Sequence, residues 1–248
     1  LVDETGTHGG LHVFGPHRHS CTIRAYRDDV TESHIPTVTV DIWSDVVCPW
    51  CYIGKRRFEA AERQLEGELR IERRYHPYQL DPRAPRTPTP VLAAYAAKFG
   101  GVERAEQIID HVTSTAAGEG LEFRMHRSQR ANTFDAHRLL WLSGATGRQD
   151  ELKERLLQAY FCDGADIADR CVLAECAAEV GLAADRVAAF LDSDDGVDEV
   201  HRELAGAVEL GITAVPTYVI NGVWSIPGAQ DANTFVAVLR RMAAPAAE

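Results

Sequence analysis

A chain of 248 residues with 45% hydrophobic and 25% charged side chains carries enough apolar material for a buried core without crosslinks, and reads as a soluble globular enzyme or binding protein. Its formal charge of -11 and pI near 5.4, with no basic run, exclude a phosphate-backbone partner, and no stretch approaches the roughly 18 uninterrupted apolar residues of a membrane span. Six cysteines in this length are too sparse for a disulfide-stapled secreted scaffold, so their spacing has to carry their meaning.

Residues 1–36 place His8, His12, His17, His19 and Cys21 among Gly, Pro and charged residues with no sustained apolar period, the pattern of a flexible leader. Imidazole and thiolate bind zinc and copper, which leaves a metal-binding tract as the other reading, although the spacing fits no structural zinc pattern. The start also lacks the apolar segment of about 7 to 15 residues that marks a secretory signal, so the chain is expected in the cytoplasm.

From Thr37, Val38, Val40 and Ile42 alternate with their neighbours as in a strand. Cys48-Pro49-Trp50-Cys51 follows, and Ile53, Phe58, Ala61 and Leu65 then recur at helical spacing, which puts Cys48 at the N-terminus of a helix with Pro49 in its first turn. After Gly67, alternation of Leu69, Ile71, Arg73 and Tyr75 predicts a second strand that stops before His76-Pro77. Prolines at 77, 82, 85, 88 and 90 rule out helix there.

Helical patterns fill the chain near 91–99, 103–117, 133–144, 149–161, 170–181 and 198–210, with no convincing strand among them. The acidic stretch Asp192-Ser193-Asp194-Asp195 with Asp198-Glu199 is expected as a solvated helix start, not a calcium loop. Thr217 to Ile220 and Val223 to Ile226 then flank Asn221-Gly222, a strong hairpin signal because both turn positions need positive φ. A last helix from Asp231 carries Phe235, Val238, Leu239 and Met242 on one face. The order fits an α/β, thioredoxin-like fold with a large all-helical insertion: residues 37–85 and 211–248 form the discontinuous thioredoxin-like part and 86–210 the insertion.

Two cysteines two residues apart, the first at a helix N-terminus after a strand, point to thiol-disulfide exchange. The unpaired amides and positive dipole end of the helix favour a thiolate on Cys48, the nucleophile, and Cys51 resolves the mixed disulfide. A CxxC can also be half of a zinc site, but that needs two further ligands and no second CxxC exists. Pro49 and Trp50 add no positive charge, so acidification of Cys48 is expected mainly from the helix end, giving a milder oxidant than a pair flanking a His.

At this point a resemblance covers about residues 37 to 242. Ser44-Asp45-Val46-Val47-Cys48-Pro49-Trp50-Cys51 with Val215-Pro216-Thr217 resembles the DsbA-like thioredoxin superfamily, in particular its FrnE-type cytoplasmic branch. Further matches are Asn132-Thr133-Phe134-Asp135-Ala136-His137-Arg138, Ala159-Tyr160-Phe161 and Gly228-Ala229-Gln230. The resemblance implies a disulfide oxidoreductase with Cys48 and Cys51 catalytic. It also implies that Pro49, Trp50, Val215, Pro216 and Thr217 contact substrate, with Pro216 cis and facing the cysteines.

Asn132 and His137 are candidate groove residues on the same grounds. On the residues alone, Asn132 with Asp135 also fits a helix N-cap pair, and His137 either shuttles a proton or satisfies a local hydrogen bond. The expected partners are thiols or disulfides of proteins or small molecules, with no nucleic acid and no membrane. No cofactor is expected beyond the redox-active disulfide, glutathione is a candidate co-substrate, and no metal is assigned.

The same superfamily holds glutathione-dependent kappa-type transferases and 2-hydroxychromene-2-carboxylate isomerases, where a Ser stands at the position resembling Cys48. An isomerase is therefore the runner-up, and a redox-inactive peptide-binding or chaperone module a third reading. Cys162, Cys171 and Cys176 depart from the family pattern. Cys176 shares a helix face with Val172, Leu173 and Val180 and is expected buried and inert, and a regular helix sets Cys171 about 140° away from it, against a direct bridge. An auxiliary pair with Cys162 stays open.

Overall fold

The computed structural model describes residues 35–85 and 87–244. Residues 1–34 of the expected leader, with His8, His12, His17, His19 and Cys21, lie outside them. No helix among the described residues is long and apolar enough to cross a membrane.

A four-stranded sheet is ordered β2-β1-β5-β6, from β1 (Thr37–Ser44), β2 (Arg70–Pro77), β5 (Thr217–Ile220) and β6 (Trp224–Pro227). β1 pairs parallel with β2 across α1 (Pro49–Gln64), and antiparallel with β5, which turns into β6 through Asn221 and Gly222 at φ 50° and 68°. The pleat sends Val38, Val40 and Ile42 to one face, where they meet Phe58 and Ala61 of α1, Leu65 just past its end, and Phe235, Val236 and Leu239 of α9 (Ala232–Ala243). Asp231 caps α9 by accepting from the Thr234 amide at 3.0 Å.

A second core fills the helical stretch: α2 (Val91–Phe99), α3 (Val102–Gly118), α4 (Phe134–Gly144), α5 (Gln149–Gln158), α6 (Arg170–Glu179) and α7 (Ala184–Asp192). Tyr52 and Ile53, in the first turns of α1, belong to this core, while Phe58 and Leu65 further along belong to the sheet's. α1 is thus wedged between both cores, which fixes the position of its N-terminus. α8 (Val197–Glu209) covers the other side of the sheet, where Trp43 packs on Ala207 and Ile212.

The structure departs from the sequence reading in five places. β2 runs on through His76 and Pro77, paired with Trp43 and Ser44; the ring of His76 stacks on Trp43 at 4.6 Å, and its nitrogens reach Asp41 (2.8 Å) and Glu203 (3.2 Å). Two-residue strands β3 (Thr89–Pro90) and β4 (Gln129–Arg130) pair inside the helical stretch, too short for any period to show. α5 gives way at Ala159 to a wide π-turn, Ala159–Asp163, closed by Gly164 at φ 72°. α7 is an unexpected helix that buries Val187, Phe190 and Leu191. The acidic stretch is consequently divided, Asp192 ending α7 and Asp198 and Glu199 opening α8.

The His76 cluster sets a pH dependence. Burial works against the imidazolium, but the hydrogen bonds and charges of Glu203 and Asp41 outweigh it and raise His76 above its ordinary value. A raised imidazole stabilises the fold fully below the unfolded value of about 6.5, and that contribution fades as pH climbs through the folded one. Urea midpoints of the His76→Gln variant are therefore expected to fall less than those of the parent between about pH 6 and 8; parallel curves would remove this role.

Candidate active site

The turn from β1 to α1 is closed by the Cys48 amide donating to the Asp45 carbonyl at 3.2 Å, and the first helical bond runs from the Cys51 amide to the Cys48 carbonyl at 3.0 Å. Cys48 is the N-cap and Pro49 the first helical residue, where a missing amide hydrogen costs nothing. Both thiols are free and nearly buried, 3% and 4% exposed. The Cys48 thiol donates to the Val215 carbonyl at 3.6 Å. The Val215-Pro216 bond is cis, as the resemblance implied. Gly54 explains how close this segment comes to α1: a Cβ there would sit 2.7 Å from the Tyr218 hydroxyl and 3.2 Å from Pro216 Cγ.

The two thiols titrate as a pair, one proton leaving below the ordinary thiol value and the other held well above it. The neighbouring Cys51 side chain, burial and the repulsion of a second charge retain the last proton, although the Cys51 amide at the helix start favours a thiolate on Cys48. Burial opposes charge on Cys51 too, but Cys48, the Lys153 charge, the Asp45 amide and the Ser44 hydroxyl together outweigh it. The acidification of Cys48 that the sequence led us to expect from the helix end is therefore outweighed: Cys48 is held above the ordinary thiol value and Cys51 is the member of the pair that falls below it.

A groove of about 780 Å³ opens over the pair. Cys48, Pro49, Trp50 and Val215 line it, and the helical stretch adds Tyr95 and Phe99 on the far side; Cys51 does not reach it. Burial and the negative charge of Cys48 push the Tyr95 phenol up to about 12. Among the described residues Lys98 and Arg130 are its cations, the latter bonded to Asp81 at 2.7 Å.

Four residues placed at the groove from the sequence are not in its lining. Pro216 packs over Gly54, and the Thr217 hydroxyl donates to the Ala214 carbonyl at 2.7 Å. Asn132 donates to the Ala84 carbonyl and accepts from the Phe134 amide at 3.0 Å, a turn before α4. Asp135 does not join it as a cap but pairs with Arg138 and Arg170. His137, 2% exposed, meets Asp45 Oδ1 at 3.2 Å and the Tyr78 carbonyl at 3.0 Å, behind the cysteines.

No motif marked Tyr95, Phe99 or Lys153, which come from helices whose patterns speak only of packing. Cys176 is buried and Cys171 exposed, both free, and Cys162 lies half-buried and free in the π-turn. Among the described residues no cluster of three or more His, Cys, Asp or Glu side chains could hold a metal ion.

A family model described as DSBA-like thioredoxin domain matches residues 39–240. A probable DsbA oxidoreductase from Streptomyces coelicolor is similar in structure at 35% identity and a TM-score of 0.78, over 83% of this chain and 89% of that one. The cytosolic disulfide reductase DsbM from Pseudomonas aeruginosa shares the fold at 19% identity and a TM-score of 0.58, over 82% of this chain and 97% of its own, and has also been solved with glutathione. The uncharacterized protein YwbO of Bacillus subtilis is 28% identical over 212 residues, 80% of this chain and 94% of its own.

Proposed function

The chain belongs to the DSBA-like thioredoxin domain family, and on that premise we propose that it is a thiol-disulfide oxidoreductase of the FrnE type, working in the cytoplasm through Cys48 and Cys51. The position of Cys48 carries this reading: it is the member of the pair that lines the groove, at a helix N-terminus and against the Val215 carbonyl. A disulfide R–S–S–R′ in the groove is attacked by the Cys48 thiolate. A Cys48–S–R bond forms, the substrate bond breaks, and R′–S⁻ leaves with the electron pair and takes up a proton. Cys51 then attacks the Cys48 sulfur, closing the protein disulfide and releasing R–S⁻, so two electrons pass to substrate. The reverse sequence oxidises a dithiol.

Pro49, Trp50 and Val215 are the residues set to contact substrate, with Pro216 fixing the segment that bears Val215. Glutathione is a suitable small thiol partner, a choice supported by the structure of DsbM with it, and the cytosolic nature of that relative supports the compartment. Cys48, where the isomerases are expected to carry Ser, favours exchange over isomerisation. The oxidised protein is expected to accept electrons from a small dithiol, and the reduced protein to donate them to oxidised glutathione, well above the uncatalysed rate. Failure in both directions would remove the reading, and glutathione-dependent turnover by Cys51→Ser without any dithiol would transfer it to the isomerase class.

A further inference from the structure

Lys153 lies on the buried face of α5 with Leu152, Leu156 and Leu157, is 1% exposed, and its ammonium finds no hydrogen-bond partner. Lys55 shows how this protein accommodates a buried lysine for structure alone: it is ion-paired to Glu59, to Glu154 at 3.1 Å and to Asp150 at 3.3 Å. Lys153 has no such set. A bare ammonium in a core is costly, and a fold retains one where something other than stability depends on it.

The surroundings of Lys153 name that dependence. The groups whose charge acts on it are Cys51, Asp45, Cys48 and Lys55, and the Tyr75 ring lies 5.7 Å from its Nζ. On its other side a cavity of about 10 Å³, room for roughly one water, is bordered by Lys153 with Tyr75, His76, His137 and Glu203. His137 is itself bonded to Asp45 Oδ1, and the Asp45 carbonyl accepts from the Cys48 amide, so the cavity beside Lys153 connects through His137 and Asp45 to the turn that carries the pair.

We propose that Lys153 is a positioning residue for the exchange proposed above, its charge sustaining the Cys51 thiolate and its proton being held or released with the redox state of the pair. The inference rests on that reading of Cys48 and Cys51. In the mixed disulfide, the Cys51 S–H bond breaks, its proton leaves to water, and the Lys153 ammonium offsets the thiolate. The thiolate attacks Cys48, the Cys48–Cys51 bond forms, and R–S⁻ departs with the electron pair and is protonated by solvent. With the thiolate charge gone, the ammonium has lost its counter-charge and yields its proton to solvent water through the cavity. Burial holds Lys153 below its ordinary value against the negative charges of Cys51, Asp45 and Cys48, so loss of the Cys51 charge lowers it further.

The test uses the reduced full-length protein and an aromatic disulfide with a coloured leaving thiolate, followed over pH. A first phase reports attack by Cys48 and a second reports resolution by Cys51. Lys153→Met, which keeps the volume and removes the charge, is expected to move the pH midpoint of the second phase upward by about one unit or more, a loss of about tenfold at neutral pH, with the first phase far less affected. An unmoved midpoint in the folded variant would overturn the inference. No second phase in the unsubstituted protein would instead remove the parent reading. The unsubstituted protein supplies an arm independent of folding: the ε-carbon resonance of Lys153 is expected to titrate at lower pH when oxidised than when reduced, and equal midpoints would also overturn it.

Discussion

Replacing Cys48 with Ala is expected to lower disulfide exchange by on the order of 10³-fold or more, about 4 kcal/mol of lost transition-state stabilisation, while replacing Cys51 with Ala leaves the first step intact and arrests the second. The two thiols share their burial, so the difference rests on access. Cys48 lines the groove and Cys51 does not. A disulfide entering the groove can meet only the first sulfur, and the covalent adduct then has no partner to release it. Cys51→Ala is thus expected to hold substrate as a mixed disulfide that a thiol reductant frees, seen as an added mass or a shifted band. Cys171→Ser, at an exposed cysteine far along the chain, is the control and should behave as the parent. Adduct forming equally on Cys48→Ala, or none on Cys51→Ala, would show that the roles are misassigned.

The parts of this molecule that were legible in its sequence are those with a local signature. Period-two apolar residues marked β1, Asn-Gly marked the turn from β5 to β6, and Pro49 after Cys48 marked the start of α1, because each is fixed by backbone conformations that only certain residues adopt. The elements that escaped are those made by tertiary pairing. β3 and β4 exist because two short segments meet, and α7, though Val187, Phe190 and Leu191 have helical spacing, lies in a run of alanines that gives weak contrast. The same division holds at the site. Cys48, Trp50 and Val215 stand in motifs. Lys153 lies in Gln-Asp-Glu-Leu-Lys-Glu-Arg, where every rule for charged residues on a helix assigns it to solvent, and only the packing of α5 with Leu152, Leu156 and Leu157 in the helical core turns it inward.

His137 and Arg138 illustrate how one motif serves two ends, and the second of them carries a large stability effect. Adjacent on α4, they point apart: His137 to Asp45 behind the cysteines, Arg138 to the turn between α7 and α8. There the guanidinium, 2% exposed, donates to the carbonyls of Phe190 (3.0 Å), Ser193 (2.7 Å) and Asp195 (2.7 Å) and to Asp135 Oδ1 (2.9 Å), and lies over the Phe190 ring at 5.0 Å.

These carbonyls belong to the end of one helix and the link to the next, and without Arg138 they lose the donors that bind the link to α4. Arg138→Met is expected to cost about 3 to 5 kcal/mol, the range for breaking a buried ion pair, and toward the lower end because Arg170 still holds Asp135 Oδ2 at 3.0 Å. For a chain of this size that lowers the thermal midpoint by roughly 6 to 20 °C. Arg138→Lys should recover only part of it, since a point charge cannot reach several carbonyls in one plane. Well below the midpoint the exchange rate should stay near that of the parent, because the contacts broken lie on the α7–α8 side and not at Asp45. A shift under about 2 °C for Arg138→Met would mean that the link between α7 and α8 holds itself, and lost exchange in the folded variant would mean that α4 transmits strain from Arg138 to His137.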